Sequence, residues 1–196
     1  MVRILLTGFE PFGKSVTNVS WEVAAAVGLQ QIPKIELCTA LLPVSFNRVR
    51  TLLPALIEER RPDVLLMLGQ TSKREEITIE RIAVNMMDAS QPDNDGYIPR
   101  EERIIEDGEN AYFTNMPLAT VCEEVSRMGI PCKISNTAGL YVCNTAFYTA
   151  LHYAHEQERG LKVGFVHLPP MGVEQGQLVE GVKMIIQTIV EDEQIG

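Results

Sequence analysis

A thiol, an imidazole and a carboxylate each stand in this chain at a place where they could react. Cys143 follows the strand-like Ile134-Ser135-Asn136 and the turn Thr137-Ala138-Gly139, where a helix begins near Asn144. A thiol in the first turn of a helix feels the positive end of its dipole, which favours the thiolate. The free N–H groups there can also hold a developing oxyanion. His167 ends the apolar run Val163-Gly164-Phe165-Val166 and is followed by Leu168-Pro169-Pro170, a setting that suits a base of fixed position. Glu80 lies inside Ile77-Thr78-Ile79-Glu80-Arg81-Ile82-Ala83-Val84, and a buried carboxylate needs a partner such as Arg81 or an imidazole. Paired with His167, it would orient the ring and stabilise the imidazolium. Plainer readings compete with each. Cys143 could be a small core residue, His167 a strand end, and Glu80 the outward residue of an amphipathic strand.

The remaining reactive groups read as structural. Cys38 lies within an expected strand, Cys122 within a helix beside Val121 and Val125, and Cys132 at a strand start. No C-x-x-C pair or zinc spacing occurs among the four cysteines. His152 and His155 are three residues apart on one helix beside Tyr148 and Glu156, and without a third ligand they read as solvated. The segment from Gln91 to Glu102 imitates a calcium loop through Asp93, Asp95 and Gly96. Its first ligand position is Gln91, however, and Pro92 follows, so calcium is rejected. Neither metal nor cofactor is expected. Gly8-Phe9-Glu10-Pro11-Phe12-Gly13 is not a phosphate-binding glycine fingerprint; it reads as a rigid turn presenting two aromatic faces suited to a flat, uncharged ring, or else as a loop whose phenylalanines pack inward. Asn18-Val19-Ser20 is a glycosylation sequon that matters only in a secreted protein.

These residues need a scaffold, and the hydrophobic pattern supplies one. Short apolar runs alternate with segments of helical period, the signature of a mostly parallel sheet covered by helices. Strands are expected over 2–7, 35–42, 63–68, 77–85, 132–136 and 162–167, and helices over 20–27, 45–60, 118–128, 144–157 and 174–190. Val49, Leu52, Leu53, Leu56 and Ile57 form one apolar stripe on the second helix. Ser20 is the expected N-cap of the first helix and Gly129 the expected stop of the third. Residues 86–115 break the rhythm, with Pro92, Gly96 and Pro99 and no clear period, as a functional loop or lid does. One domain over residues 1–196 is expected.

Composition narrows the function. With 45% hydrophobic and 22% charged residues and a net charge of −9, the chain does not look like a binder of phosphate backbones. Its short basic pair Lys73-Arg74 runs straight into Glu75-Glu76. No stretch approaches the roughly 20 apolar residues of a membrane span, and the first residues lack the pattern of a signal peptide. A reducing cytoplasmic setting with free thiols is therefore expected. Neither nucleic acid nor membrane is an expected partner.

Read together, these segments resemble the pyrrolidone-carboxylate (pyroglutamyl) peptidases. The matching pieces, in order, begin with Leu6-Thr7-Gly8-Phe9-Glu10-Pro11-Phe12-Gly13, Ser20-Trp21-Glu22 and Ile79-Glu80-Arg81-Ile82-Ala83-Val84-Asn85. They continue through Asp88-Ala89 with Pro92-Asp93-Asn94, Ala111-Tyr112-Phe113 with Pro117, Ser135-Asn136-Thr137-Ala138-Gly139 with Val142-Cys143-Asn144, and His167 with Pro169. The resemblance implies an α/β/α sandwich of three layers around a mostly parallel twisted sheet, and a cysteine peptidase that removes an N-terminal pyroglutamate from small peptides, with Glu80, Cys143 and His167 as its triad. It also implies a ring pocket lined by Phe9 and Phe12, with hydrogen bonds from the Gln70 region and apolar walls near Tyr141 and Val142. It further implies a homo-oligomer, commonly a tetramer. Ser90-Gln91 stands where many relatives carry Arg-Ile, an arginine placed near the oxyanion. The alternatives are an amidase for another small cyclic amide and a silent homologue that binds the ring without turnover.

Overall fold

A computed structural model describes residues 1–71, 74–157 and 160–195; Lys73 of the basic pair lies outside them. Its strands are β1 (Val2–Phe9), β2 (Ile35–Leu42), β3 (Val64–Gln70), β4 (Ile77–Glu80), β5 (Ile82–Val84), β6 (Ala111–Phe113), β7 (Cys132–Ser135) and β8 (Lys162–Leu168). The helices are α1 (Val19–Gly28), α2 (Phe46–Arg60), α3 (Leu118–Arg127), α4 (Val142–Gln157) and α5 (Gln175–Ile195). Six strands form the main sheet in the order β2-β1-β3-β8-β4-β7. All neighbours are parallel except β4 and β8. This is the expected three-layer α/β/α sandwich around a mostly parallel sheet.

Alternation along the strands decides which residues meet which helices. Ile4, Leu6, Leu66, Leu68, Ile77, Ile79, Val166 and Leu168 face the core shared with α1, α3 and α5. Leu5, Phe9, Leu65, Met67, Val163 and Phe165 face the opposite core, built with α2 and α4. By the same alternation Gly69, Thr78, Glu80 and His167 belong to the α4 side. The parity of β4 and β8 thus places the carboxylate and the imidazole on one side of the sheet, the side from which α4 brings Cys143.

Helix ends explain the local geometry. α1 starts one residue before the expected 20, because Asn18 and not Ser20 is its cap. The Asn18 side chain accepts from the Ser20 N–H at 3.0 Å. The Ser20 hydroxyl instead accepts from the Phe9 N–H at 3.0 Å, tying the end of β1 to the start of α1. Gly8 permits that approach, since a Cβ there would lie 2.6 Å from the Ser20 carbonyl oxygen. Ser45 caps α2, whose buried face is Phe46, Val49, Leu53 and Ile57. α3 ends at Arg127, and Gly129 follows at positive φ as expected of a stop.

One expected strand is broken. Residues 77–85 form two elements: the Arg81 N–H makes the last bond of the β4–β7 pairing, to the Ser135 carbonyl, while the Arg81 carbonyl already turns to the Thr114 N–H just beyond β6. Beyond Arg81 the chain leaves the main sheet, and β5 pairs with β6 in a separate two-stranded sheet. β6 falls inside the expected loop over 86–115. α4 begins at Val142, two residues before the expected 144, so Cys143 lies within its first turn.

Candidate active site

His167 and Glu80 are brought together by register. Across the antiparallel β4–β8 pair, Thr78 stands opposite His167, and Glu80 is the next residue of β4 on the same face. A long side chain spans that diagonal easily. The His167 Nδ1 lies 2.8 Å from the Glu80 Oε1, with both side chains buried. On the other flank of β8, Gly69 pairs with His167 in register, and its missing side chain leaves room for the ring. A Cβ at Gly69 would meet Phe165 at 2.8 Å and His167 Cδ2 at 3.0 Å.

Glu80 is fully buried, so it needs strong partners. Arg81, one of the two expected, turns away: it is exposed and donates to Asn136. The imidazole is present, and with it Arg74, whose Nη1 lies 2.6 Å from the same Glu80 Oε1. Burial raises the Glu80 carboxyl's pKa, but the bond and charge of His167, then the nearby Ser135 hydroxyl and Arg74, outweigh it. The net result lies below the ordinary value.

Cys143 is partly buried near the start of α4. Asn144 fixes that helix end: its Oδ1 accepts from the Val84 N–H at 3.0 Å, and its Nδ2 donates to the Val84 and Met86 carbonyls. Desolvation of the thiol and, after it, the charge of Glu80 push the Cys143 pKa up to about 12; its own backbone N–H pulls the other way and loses. The expected helix-stabilised thiolate is therefore corrected. At neutral pH the resting group is a thiol, close enough to Glu80 to feel its charge. The other cysteines are free thiols, and burial raises the pKa of Cys38 and of Cys132.

Beside Cys143 lies a small cavity lined by Phe9, Phe12, Asn18, Val44, Gln70, Tyr141 and Val142. All five expected ring-pocket residues are there: Phe9, Phe12, Gln70, Tyr141 and Val142. Asn18 and Val44 join them without having been expected. The Gln70 Oε1 accepts from the Val19 N–H at 2.9 Å, which joins the end of β3 to the start of α1. Phe12 and Tyr141 face each other at 6.4 Å between ring centroids, and Tyr141 packs edge-on to Phe46 at 5.2 Å.

The segment over 86–115 frames this cavity. Asn94 donates to Glu10 Oε1 and to the Pro11 carbonyl, and Tyr141 donates to the Pro92 carbonyl at 2.8 Å. Asp93, once a candidate calcium ligand, spends its oxygens on backbone N–H groups of Phe46, Asp95 and Tyr97. Ser90 is exposed at a bend. His152 is not simply solvated: its ring meets the Tyr112 hydroxyl at 3.1 Å and stacks on Tyr148.

A thiol at a helix start, with an imidazole–carboxylate pair on the same side of a mostly parallel sheet, is the arrangement of a cysteine hydrolase. The profile of the pyroglutamyl peptidase family matches residues 2–196, and the chain belongs to that family. A pyrrolidone-carboxylate peptidase of Thermococcus onnurineus is 45% identical over 168 residues, spanning 86% of this chain and 84% of the relative. One from Brevibacillus brevis is 37% identical over 197 residues, spanning all of this chain and 91% of the relative. Among solved structures, the pyrrolidone carboxyl peptidase of Thermococcus litoralis superposes with a TM-score of 0.95 at 32% identity, covering 99% of this chain and 96% of its own. Pyroglutamyl peptidase I of Bacillus amyloliquefaciens gives 0.91 at 30%, covering 96% and 97%.

Proposed function

We propose that this chain hydrolyses the amide bond that follows an N-terminal pyroglutamate, with Cys143 as nucleophile, His167 as general base and acid, and Glu80 as the group that orients the imidazole. The observation that carries the reading is the aromatic cavity beside Cys143. A pyroglutamyl ring is flat and lacks a charged amine, so aromatic and apolar walls suit it. A free N-terminal glutamate would bring an unpaired ammonium into those walls at a cost of several kcal/mol.

Because the His167 Nδ1 faces Glu80, the Nε2 is left for the thiol. Nε2 takes the Cys143 proton as Sγ attacks the carbonyl carbon. N–H groups in the first turn of α4, which lack partners one turn back, receive the oxyanion. Collapse breaks the C–N bond, and the imidazolium gives its proton to the departing amine. Water, deprotonated by the same nitrogen, then opens the thioester and releases pyroglutamate with the thiol restored. Since Cys143 rests protonated, proton transfer to His167 belongs to the attack itself.

The segment over 86–115 acts here as a brace for the cavity walls, because its hydrogen bonds run to Glu10, Pro11 and Tyr141. Free thiols and the absence of any helix long and apolar enough to cross a membrane, among the described residues, support a cytoplasmic setting. A homo-oligomer, a tetramer by resemblance, is part of the same reading and is checked by light scattering on the purified chain. The deciding assay is release of fluorophore from pyroglutamyl-aminomethylcoumarin. Wild type turns over and Cys143→Ser does not, whereas Cys38→Ser, Cys122→Ser and Cys132→Ser remain active. Absent wild-type turnover rejects the proposal.

A further inference from the structure

Arg74, read in the sequence only as half of a short basic pair, lies in the segment that leads into β4. Its guanidinium nevertheless reaches into the site. Nη1 donates to Glu80 Oε1 at 2.6 Å and to the Thr78 hydroxyl, and Nη2 donates to the Ser135 hydroxyl and the Thr137 carbonyl, both at 2.9 Å. The fork therefore touches two structures that must stay in register. One is β4, which carries the acid. The other is the end of β7 and the turn after it, which lead to Cys143. The Glu80 Oε1 takes both Arg74 and His167, while Oε2 is buried with no hydrogen-bond partner among the described residues. Arg74 and His167 thus hold the carboxylate through the same oxygen, with the Ser135 hydroxyl nearby.

From this geometry we infer that Arg74 is a positioning residue for the thiol–imidazole–carboxylate reaction, holding Glu80 ionised and aimed at His167 while pinning the 135–137 turn on the approach to Cys143. The inference rests on the peptidase reading for its kinetic consequence, though not for its electrostatic one. An arginine suits the task because its planar fork serves several oxygens at fixed angles; a lysine supplies charge at a single point. Among the described residues, the charged and titratable groups that act on Glu80 are Arg74 from the preceding segment and His167 from β8, both in contact with it, and Cys143 from α4, which feels its charge. Lys133, beside Ser135 on β7, is engaged by Glu76 at 2.9 Å. Among the described residues no other basic side chain apart from His167 is placed against Glu80, so removing Arg74 makes Glu80 easier to protonate.

The test compares wild type, Arg74→Ala and Arg74→Lys, each checked for native circular dichroism. One readout is kcat and KM with pyroglutamyl-aminomethylcoumarin across pH. The other follows the Glu80 carboxyl by carbon NMR on glutamate-labelled protein, its signal assigned with Glu80→Gln. In Arg74→Ala, kcat should fall roughly 10- to 100-fold with KM within about twofold, as for a misaimed catalytic group. The acid limb of kcat/KM and the Glu80 titration should both move to higher pH. Arg74→Lys, which keeps the charge, should restore the acid limb and the titration but only part of kcat. An Arg74→Ala protein with an unshifted Glu80 titration and wild-type kcat overturns the inference. Should wild type show no turnover while the Glu80 titration still shifts in Arg74→Ala, the peptidase reading falls and the role of Arg74 at Glu80 stands. If Arg74→Ala does not fold, Arg74→Lys alone decides: kcat equal to wild type overturns the positioning role.

Discussion

Glu80 Oε1 and His167 Nδ1 lie 2.8 Å apart on adjacent strands that run in opposite directions, the one antiparallel junction in the main sheet. Their contact depends on that reversal, which sets Thr78 opposite His167 and so brings Glu80 onto its diagonal. The bond carries both an orienting and an electrostatic consequence, and one substitution separates them.

Glu80→Gln keeps the shape and loses the charge. Without the carboxylate the imidazolium is no longer stabilised and the ring's tautomer is no longer fixed, so kcat should fall by up to roughly 10⁴-fold with little change in KM. The same variant reports on stability. The folded Glu80 pKa lies below the ordinary 4.5, so its stabilising contribution is fully present above that value and is lost as pH falls through the lowered folded value. Urea unfolding at pH 7 and at pH 3 should therefore show wild type losing more stability on acidification than Glu80→Gln. Equal losses would mean the carboxylate gains nothing from its partners.

Alkylation tests the protonation state of Cys143. With its pKa pushed to about 12, the thiol should react with iodoacetamide ever faster as pH rises through 7, 8 and 9, with no plateau. Inactivation kinetics of the substrate-free enzyme provide the measurement. A flat rate between pH 6 and 8 would instead reveal a thiolate–imidazolium pair formed before substrate arrives.

Much of this site was legible in the sequence because its parts sit at ends of strongly patterned elements. The run from Val163 to Val166 marks β8, and His167 follows it. The turn over Thr137-Ala138-Gly139 marks the entry to α4, and Cys143 follows that. The less legible features depend on contacts distant in sequence. Asn144 acts on Val84, sixty residues away, and Arg74 joins nearby Glu80 to Ser135, sixty-one residues away, so no local spacing reveals either role. The thiolate expectation failed for a related reason: a helix start is visible in sequence, but the burial and the Glu80 charge that outweigh it arise only from packing. Residues 77–85 looked like one strand because their apolar pattern continues past Arg81. The turn of the Arg81 carbonyl to Thr114 and the pairing of β5 with β6 divide it, and three-residue strands leave little periodic signal.

Phe12 is partly exposed and faces Tyr141 across the cavity, unlike Phe9, which is buried against Phe165. Phe12→Ala should therefore raise KM for pyroglutamyl substrates by at least about fivefold, the equivalent of about 1 kcal/mol of lost aromatic contact, with little change in Tm. Steady-state kinetics and a thermal melt together decide it. A large drop in Tm with unchanged KM would assign this ring to the core.

Gly69 offers a test of how tightly the imidazole is held. In Gly69→Ala the new Cβ would lie 2.8 Å from Phe165 and 3.0 Å from His167 Cδ2, well inside the roughly 3.5–4.0 Å at which carbon atoms rest. β3 lies between β1 and β8 in the main sheet, so its backbone has little freedom to withdraw. The rings must give way instead. Overpacking of this kind costs about 1–3 kcal/mol, and moving a catalytic group by about 1 Å can cost roughly 100-fold in rate. The expected result is a Tm lowered by several degrees together with a kcat reduced on that order, while KM, which reports the cavity beyond Gln70, changes little. A protein with lowered Tm and wild-type kcat would show that Phe165 alone absorbs the methyl group, leaving His167 held by Glu80 where it was.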